Sequence, residues 1–261
     1  MTAQIHPSAV IEDGATIGPD CVIGPFCIVG SEVVLGRGVT LKSHVVITGD
    51  TYIGDDSTVF SFAVIGEIPQ DKKFGGEKTA LRIGARARIR EHVTVNTGTA
   101  GGGGLTSIGD DCLLMAGCHV AHDAHIGNRV IVVNSSAVAG HCIVEDDVII
   151  GGLCGIHQFV RIGRGAIIGA LTMVTNDVIP HALVQGPRGK LDGLNLVGLK
   201  RKGVDRSDIT ALRAAFQALK DGEGTFLDRA KRLGDEAESE YVREMVGFIL
   251  GESDRNFLTP S

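Results

Sequence analysis

The chain is predicted to be a mainly β protein, a parallel β-helix of hexapeptide repeats followed by a small α-helical C-terminal domain. Three observations predict this. An aliphatic residue recurs at every sixth position: Ile5, Ile11, Ile17, Ile23, Val29, Leu35, Leu41, Ile47, Ile53, Val59 and Ile65, then Ile83, Ile89 and Val95, then Ile108 and every sixth residue to Val174. The residue four places after each is small, from Ala9, Ala15, Cys21 and Cys27 to Ala166, Thr172 and Val178. Beyond Pro180 the six-residue beat stops, and Ile209, Leu212, Phe216 and Leu219 fall at helical spacing. A period of six fits neither an α-helix nor strand alternation. It fits a solenoid in which each hexad is one wall and three hexads make one coil, so that residues 18 apart lie above one another.

Each element follows from this frame. The large aliphatic of each hexad points into a narrow prism, and the small residue packs beside it. Glycine often follows the aliphatic (Gly18, Gly24, Gly30, Gly36, Gly54, Gly84, Gly109, Gly127, Gly151, Gly163, Gly169), which suggests corners of positive φ. The first region spans residues 1–185, with hexads over about 5–180. Two stretches interrupt it. Residues 66–82 keep the phase but lose the aliphatic beat, and residues 96–107 shift the phase by one. Insertions in solenoids tend to project on one side and form binding surfaces. The Gly101–Gly104 run reads as a flexible loop and lacks the Lys-Ser/Thr ending of a phosphate-binding P-loop. The second region, residues 186–261, begins within a polar, glycine-rich connection (181–203). A helix follows with Ser207 as its expected N-cap, then helices over Thr225–Leu233 and Tyr241–Ile249. Such a domain would cover the last coil, whose backbone is otherwise unpaired.

Composition excludes several classes. A net charge of −6 in 261 residues argues against a general nucleic-acid binder. No apolar run approaches the ~20 residues of a membrane span, and Met1–Val10 is not a signal peptide, so a cytoplasmic protein without stable membrane insertion is expected. All six cysteines occupy the small inward position, which makes them buried packing residues rather than disulfides or zinc ligands.

Chemistry points to histidines late in the solenoid: His119, His122 and His125 in CHVAHDAHIGN, His141 in AVAGHCIV and His157 in GIHQFV. None holds an inward position. His119 and His125 lie six apart, on successive walls, so converging metal ligands are not expected. His122 precedes Asp123, and a carboxylate on one imidazole nitrogen fixes the tautomer and makes the other a base. Gly140, one coil away from His122, has a backbone N–H free to approach an oxyanion. Base and donor together are the minimum for acyl transfer.

The segments HVAHDAHIGN, AGH, GIHQFV, IPQDKKFGGE and LNLVGLKRKG, with the opening IHPSAV and the helical tail, resemble the cytoplasmic UDP-N-acetylglucosamine acyltransferases that begin lipid A synthesis. The resemblance covers the whole chain. It implies a left-handed β-helix, a homotrimer with sites between subunits, and no cofactor, an acyl-acyl carrier protein being the co-substrate. It implies that His122 is the general base, Asp123 its orienting partner and Gly140 the oxyanion donor. Gln70, Asp71 and Lys73 would contact the sugar, and His119, His141, His157 and Gln158 other parts of the substrates. Gly152 would meet the acyl carbonyl, and Asn195 and Arg201 the nucleotide and its phosphates. Ala170 matches the position that measures acyl length; alanine there implies a medium-to-long 3-hydroxyacyl chain. Lys200, Arg201, Lys202 and Arg213 would guide the acidic carrier protein.

This chain departs from the family pattern at Asn96-Thr97-Gly98-Thr99, where His-Arg-Gly-Thr is common, at Val197, where Glu is common, and at Arg188, where a histidine is often found. The readings left open are the same transfer to a 3-amino sugar, a coenzyme A-dependent acyltransferase of the same fold, and a non-catalytic scaffold.

Overall fold

The computed structural model describes residues 2–260; Met1 and Ser261, the outermost residues of the two regions read from the sequence, lie outside the described residues. The hexads form a triangular prism of three parallel sheets. The first sheet has 11 strands and starts at Gln4–Ile5, the second has 9 and starts at Val10–Ile11, and the third has 8 and starts at Thr16–Ile17. Most strands are two residues long, an outward residue followed by the inward aliphatic. Inward residues from Ile23 to Val174 are buried, each contributing roughly 1.5–3 kcal/mol of burial free energy. All six cysteines are buried and unpaired, and burial, the largest influence on each, raises their thiol pKa values.

Coils stack in parallel register, Ile5 on Ile23 and Val120 on Val138. The two insertions alter the spacing but not the stacking: Ile53 pairs with Ile83, and Ile83 with Ile108. Both leave the second sheet, after Val64–Glu67 and Thr94–Asn96, and return to the third at Ala80–Ile83 and Leu105–Ile108. They therefore project from the same edge of the prism.

The glycines that follow the aliphatics have a different reason from the one expected. None of the eleven named above has positive φ; Gly66, which follows Ile65 where the first insertion begins, does (φ 83°). A Cβ at Gly24 would lie 2.7 Å from the Lys42 carbonyl oxygen, and one at Gly127 would lie 2.7 Å from the Asp146 backbone nitrogen. Close coil-to-coil stacking excludes a side chain there. Left-handed backbone occurs two residues later instead, at Asp20, Phe26, His44, Asp56, Asp123, His141 and Phe159 among others. These residues incur roughly 1–2 kcal/mol of strain each. The strain is offset by backbone bonds along the corner, such as His141 N–H to His122 O (3.2 Å) and Phe159 N–H to Gly140 O (3.1 Å).

After Val174 the chain does not run on as a loose connection. Ala182–Gln185 adds to the first sheet and folds back as an antiparallel hairpin with Lys190–Leu194. Four helices follow: α1 (Leu196–Arg201), α2 (Arg206–Asp221), α3 (Phe226–Glu236) and α4 (Glu240–Leu250). Helix α1 was not anticipated. Asp205, not Ser207, flanks the start of α2, and Ser207 lies within its first turn. Thr225 caps α3 through a reciprocal capping box with Asp228. The tail then returns over the prism. Asp177, fully buried, accepts from Arg161 (2.7 Å) and Ser253 (2.6 Å). Among the described residues no helix is long and apolar enough to cross a membrane.

Candidate active site

The edge between the second and third sheets carries both insertions and, just above them, the histidine cluster. Here two columns of corner residues run side by side. His122, Gly140 and Gln158 occupy one hexad position, and Asp123, His141 and Phe159 the next. The left-handed backbone at Asp123 and His141 turns both side chains toward the same space. His122 Nδ1 lies 2.8 Å from Asp123 Oδ2, and His141 Nδ1 lies 3.8 Å from the same oxygen. The His141 ring stacks on Phe159, with centroids 4.4 Å apart, and meets His122 edge-on at 5.1 Å.

Gly140 has a steric role beside its backbone one. A Cβ there would lie 2.7 Å from His122 Cε1 and 2.9 Å from Nε2, so only glycine lets the imidazole lie across this corner. The Gly140 N–H has no acceptor among the described residues.

The Asp123 carboxylate is held by a residue that the sequence marks only as part of the Asn96-Thr97-Gly98-Thr99 segment, with no role of its own. Thr99 donates its hydroxyl to Oδ2 (2.6 Å) and its N–H to Oδ1 (2.8 Å). Asp123 is 2% exposed. Burial alone would raise its pKa, but the bonds from Thr99 and His122 outweigh it and hold the carboxyl below its usual range. The glycine run is accordingly not a free loop. Thr99 starts a 3-10 turn at Ala100–Gly102, and side chains at Gly98 or Gly102 would strike the carboxylate. The first insertion braces this turn, Glu77 accepting from Ala100 N–H (3.2 Å). Asn96 and Thr97 bind the base of that insertion, the Asn96 amide donating to Ile68 O (3.0 Å) and Thr97 N–H to Glu67 O (3.1 Å).

The remaining residues divide by location. His119 Nδ1 lies 2.8 Å from Thr94 Oγ1; burial, with His122 nearby, lowers its pKa. Burial likewise lowers that of His141, against the opposing pull of Asp123 and Asp71, which places Asp71 within electrostatic reach of this edge. Asp71 Oδ1 accepts from Lys73 N–H (3.0 Å), while the side chains of Lys73 and Gln70 are exposed. His157 and Gln158 top the same edge, beside a shallow groove of about 400 Å³ lined by Ala139, Gly155, Ile156 and Met173. Gly152 and the exposed Ala170 do not join them; they stack on the edge between the first and second sheets.

Asn195, Arg201, Lys200, Lys202 and Arg213 lie in the C-terminal part. Asn195 serves the fold at both ends of its amide, its oxygen capping α1 through Gly198 N–H (2.9 Å) and its nitrogen donating to Gly165 O (3.0 Å). Lys202 is paired with Asp147 at 3.0 Å, which takes it out of the free basic group. Lys200, Arg201 and Arg213 are exposed.

One ligand atom each from His122, Asp123 and His141 lies within 4.8 Å of the others. This juxtaposition was not foreseen from the spacing of His119 and His125, and the bonds to Asp123 account for it as it stands. Chemically, the arrangement offers an imidazole whose Nδ1–H is committed to a buried carboxylate, leaving Nε2 as a proton acceptor beside an uncommitted backbone N–H.

Comparisons with known proteins agree with one another. Residues 177–258 match the family model described as UDP N-acetylglucosamine O-acyltransferase, domain 2, and residues 2–31, 14–49 and 105–140 match that of the bacterial transferase hexapeptide. An acyl-acyl-carrier-protein–UDP-N-acetylglucosamine O-acyltransferase of Paracoccus denitrificans is 66% identical over 77% of each chain. One of Rhizobium etli is 48% identical over 100% of this chain and 96% of its own. The solved UDP-N-acetylglucosamine acyltransferase of Campylobacter jejuni superposes with a TM-score of 0.93 at 42% identity, covering 99% of this chain and 100% of its own.

Proposed function

This chain belongs to the acyl-acyl-carrier-protein–UDP-N-acetylglucosamine O-acyltransferase family, and from that premise we propose how its own residues carry the transfer. It moves a (3R)-hydroxyacyl chain from acyl carrier protein to the 3-hydroxyl of UDP-N-acetylglucosamine, the first step of lipid A synthesis. The observation that most supports the assignment of roles is the His122–Asp123 pair lying across Gly140.

In this reading Asp123 holds Nδ1–H, so Nε2 of His122 takes the proton of the sugar hydroxyl as its oxygen attacks the thioester carbon. The Gly140 N–H stabilises the oxyanion that forms. Collapse breaks the C–S bond, and His122 returns the proton to the departing thiolate of the carrier. Asp71, Lys73 and Gln70 on the first insertion, with His119 and His141, contact the sugar part. His157 and Gln158 contact the substrates one coil higher. No cofactor takes part, and the reaction is cytoplasmic.

A homotrimer supplies what one chain separates. The catalytic edge lies between the second and third sheets, Gly152 and Ala170 lie on another edge, and Arg201 adjoins Lys202, which pairs with Asp147 on the third. Threefold packing brings the edges of neighbouring subunits together, so that the acyl carbonyl meets Gly152 and the chain ends near Ala170. Arg201 suits a diphosphate because its planar fork bonds two oxygens. With Lys202 paired, Lys200, Arg201 and Arg213 guide the acidic carrier protein.

The test is acyl transfer by the purified protein, offered UDP-N-acetylglucosamine or its 3-amino analogue with a ladder of 3-hydroxyacyl-acyl carrier proteins, read by mass. Turnover of the hydroxyl sugar with medium-to-long chains is expected. Transfer only to the amino sugar, or only from coenzyme A, overturns the reading. Catalytic efficiency should fall with added salt; independence of salt rules out electrostatic guidance of the carrier.

A further inference from the structure

The C-terminal tail reaches the catalytic edge through one side chain. Arg255 Nη2 lies 2.7 Å from His157 Nδ1, and Arg255 Nε donates to the Gln158 carbonyl oxygen at 3.1 Å. The tail that presents it is anchored independently. Asp177 N–H donates to Asn256 O and Leu258 N–H to Asp177 O, each at 2.8 Å. The Ser253 hydroxyl binds both Asp177 Oδ2 (2.6 Å) and the Arg255 N–H (3.0 Å). Arg255 is thus held from a hub at the buried Asp177 and is itself half-buried.

A guanidinium carries donors only. At 2.7 Å from it, His157 Nδ1 has to be the acceptor, which places the ring proton on Nε2. The rival arrangement is also present: the Gln158 carbonyl oxygen lies 3.3 Å from Nδ1 and would accept a proton carried there. Two partners therefore compete for one nitrogen, and each selects a different tautomer. Nε2 has no partner among the described residues, so it is the atom His157 offers to the substrates.

We propose that Arg255 is a positioning residue of this enzyme, fixing His157 as an Nε2–H donor toward an oxygen of the bound sugar nucleotide or acyl group. The proposal rests on His157 being a substrate contact. Without Arg255, Nδ1 takes the proton and turns to Gln158 O, and Nε2 faces the substrate oxygen with a lone pair, exchanging an attraction for a repulsion.

Ring-nitrogen NMR of histidine-labelled protein, with His157 assigned by its absence in H157A, tests the tautomer directly. The wild-type protein should show protonated Nε2 and bare Nδ1 at His157, and R255A the reverse. In the acyl-transfer assay R255A should lose about tenfold in kcat/KM, R255K should recover part of it, and R255A/H157A should be no slower than H157A alone. A protonated Nδ1 in the wild-type protein overturns the proposal without any variant. An unchanged His157 signature in R255A, or losses that multiply in the double variant, overturns it equally. The NMR arm needs no turnover, so an inactive wild-type protein would count against the acyltransferase reading and leave the hold of Arg255 on His157 to be judged by its own result.

Discussion

Two edges of the prism carry ladders of aromatic and imidazole rings in the same left-handed corner position, and they behave differently. On the edge between the first and second sheets, Phe26, His44, Phe62 and His92 form a column at centroid spacings of 4.9, 5.1 and 5.2 Å, the first pair tilted and the other two stacked. No ring nitrogen of His44 or His92 is hydrogen-bonded among the described residues, and both side chains are exposed. On the edge between the second and third sheets, His141 and Phe159 stack in the same way, but Asp123 takes the corner below them. The difference is one buried carboxylate and a loop beneath it that supplies two donors. Backbone geometry and ring stacking are shared by both edges, so neither distinguishes them; the imidazole nitrogen committed to Asp123 does.

The comparison breaks most sharply at His122. H122A should lose on the order of a hundred- to ten-thousandfold in kcat while keeping its fold and assembly, measured by steady-state kinetics beside circular dichroism and sedimentation. A loss under tenfold would remove His122 as the base. G140A comes next. Its φ suits alanine, yet the new methyl displaces the His122 ring, so about a hundredfold loss in kcat is expected with little change in Tm. Thr99 sharpens the contrast further: T99V keeps the N–H bond to Asp123 but removes the hydroxyl, and about a tenfold loss in kcat/KM should follow.

T99V has a pH signature as well. Because the folded-state pKa of Asp123 is lowered, its stabilising contribution is fully present above the unfolded value of about 3.9 and is lost as pH falls through the folded value. The stability gap between wild type and T99V, from urea unfolding, should therefore be constant above about pH 5 and narrow below about pH 4. H44A marks the small end of the scale. Activity should stay within about twofold, with roughly 1 kcal/mol of stability lost from the ring stack.

Much of this was legible in the residues themselves. The hexads from Ile5 to Val174 dictated the prism because inward aliphatics and small partners leave no other packing, and His122-Asp123 was visible as neighbours in sequence. The glycines after the aliphatics pointed to the right corners for the wrong cause, since close approach of the next coil leaves the same mark in a sequence as positive φ. The role of Thr99 was not legible because the phase slip between Val95 and Ile108 hides which coil lies beneath Asp123; the slip itself was the available signal, as its extra residues had to sit under that corner. Arg255 was beyond reach, 98 residues from His157 and brought into contact with it by a tail anchored on the buried Asp177. Asn195 and Lys202 show the opposite limit, where side chains that match binding positions are occupied by a helix cap and by Asp147.

Among the described residues the first coil is exposed and the last is covered. Ile5, in the first coil, is 45% exposed, whereas Ile23 directly above it is 2% exposed, and at the far end the hairpin and helices cover the last coil. In a stack where each coil touches only its neighbours, loss of structure starts at a free end and travels inward. Backbone amides should therefore exchange with solvent in order along the chain, earliest around Ile5–Ile17 and latest above Val120. The early coils would then be the first to fray on warming, while the edge that carries His122 and Asp123 keeps its shape until much of the molecule below it has already opened.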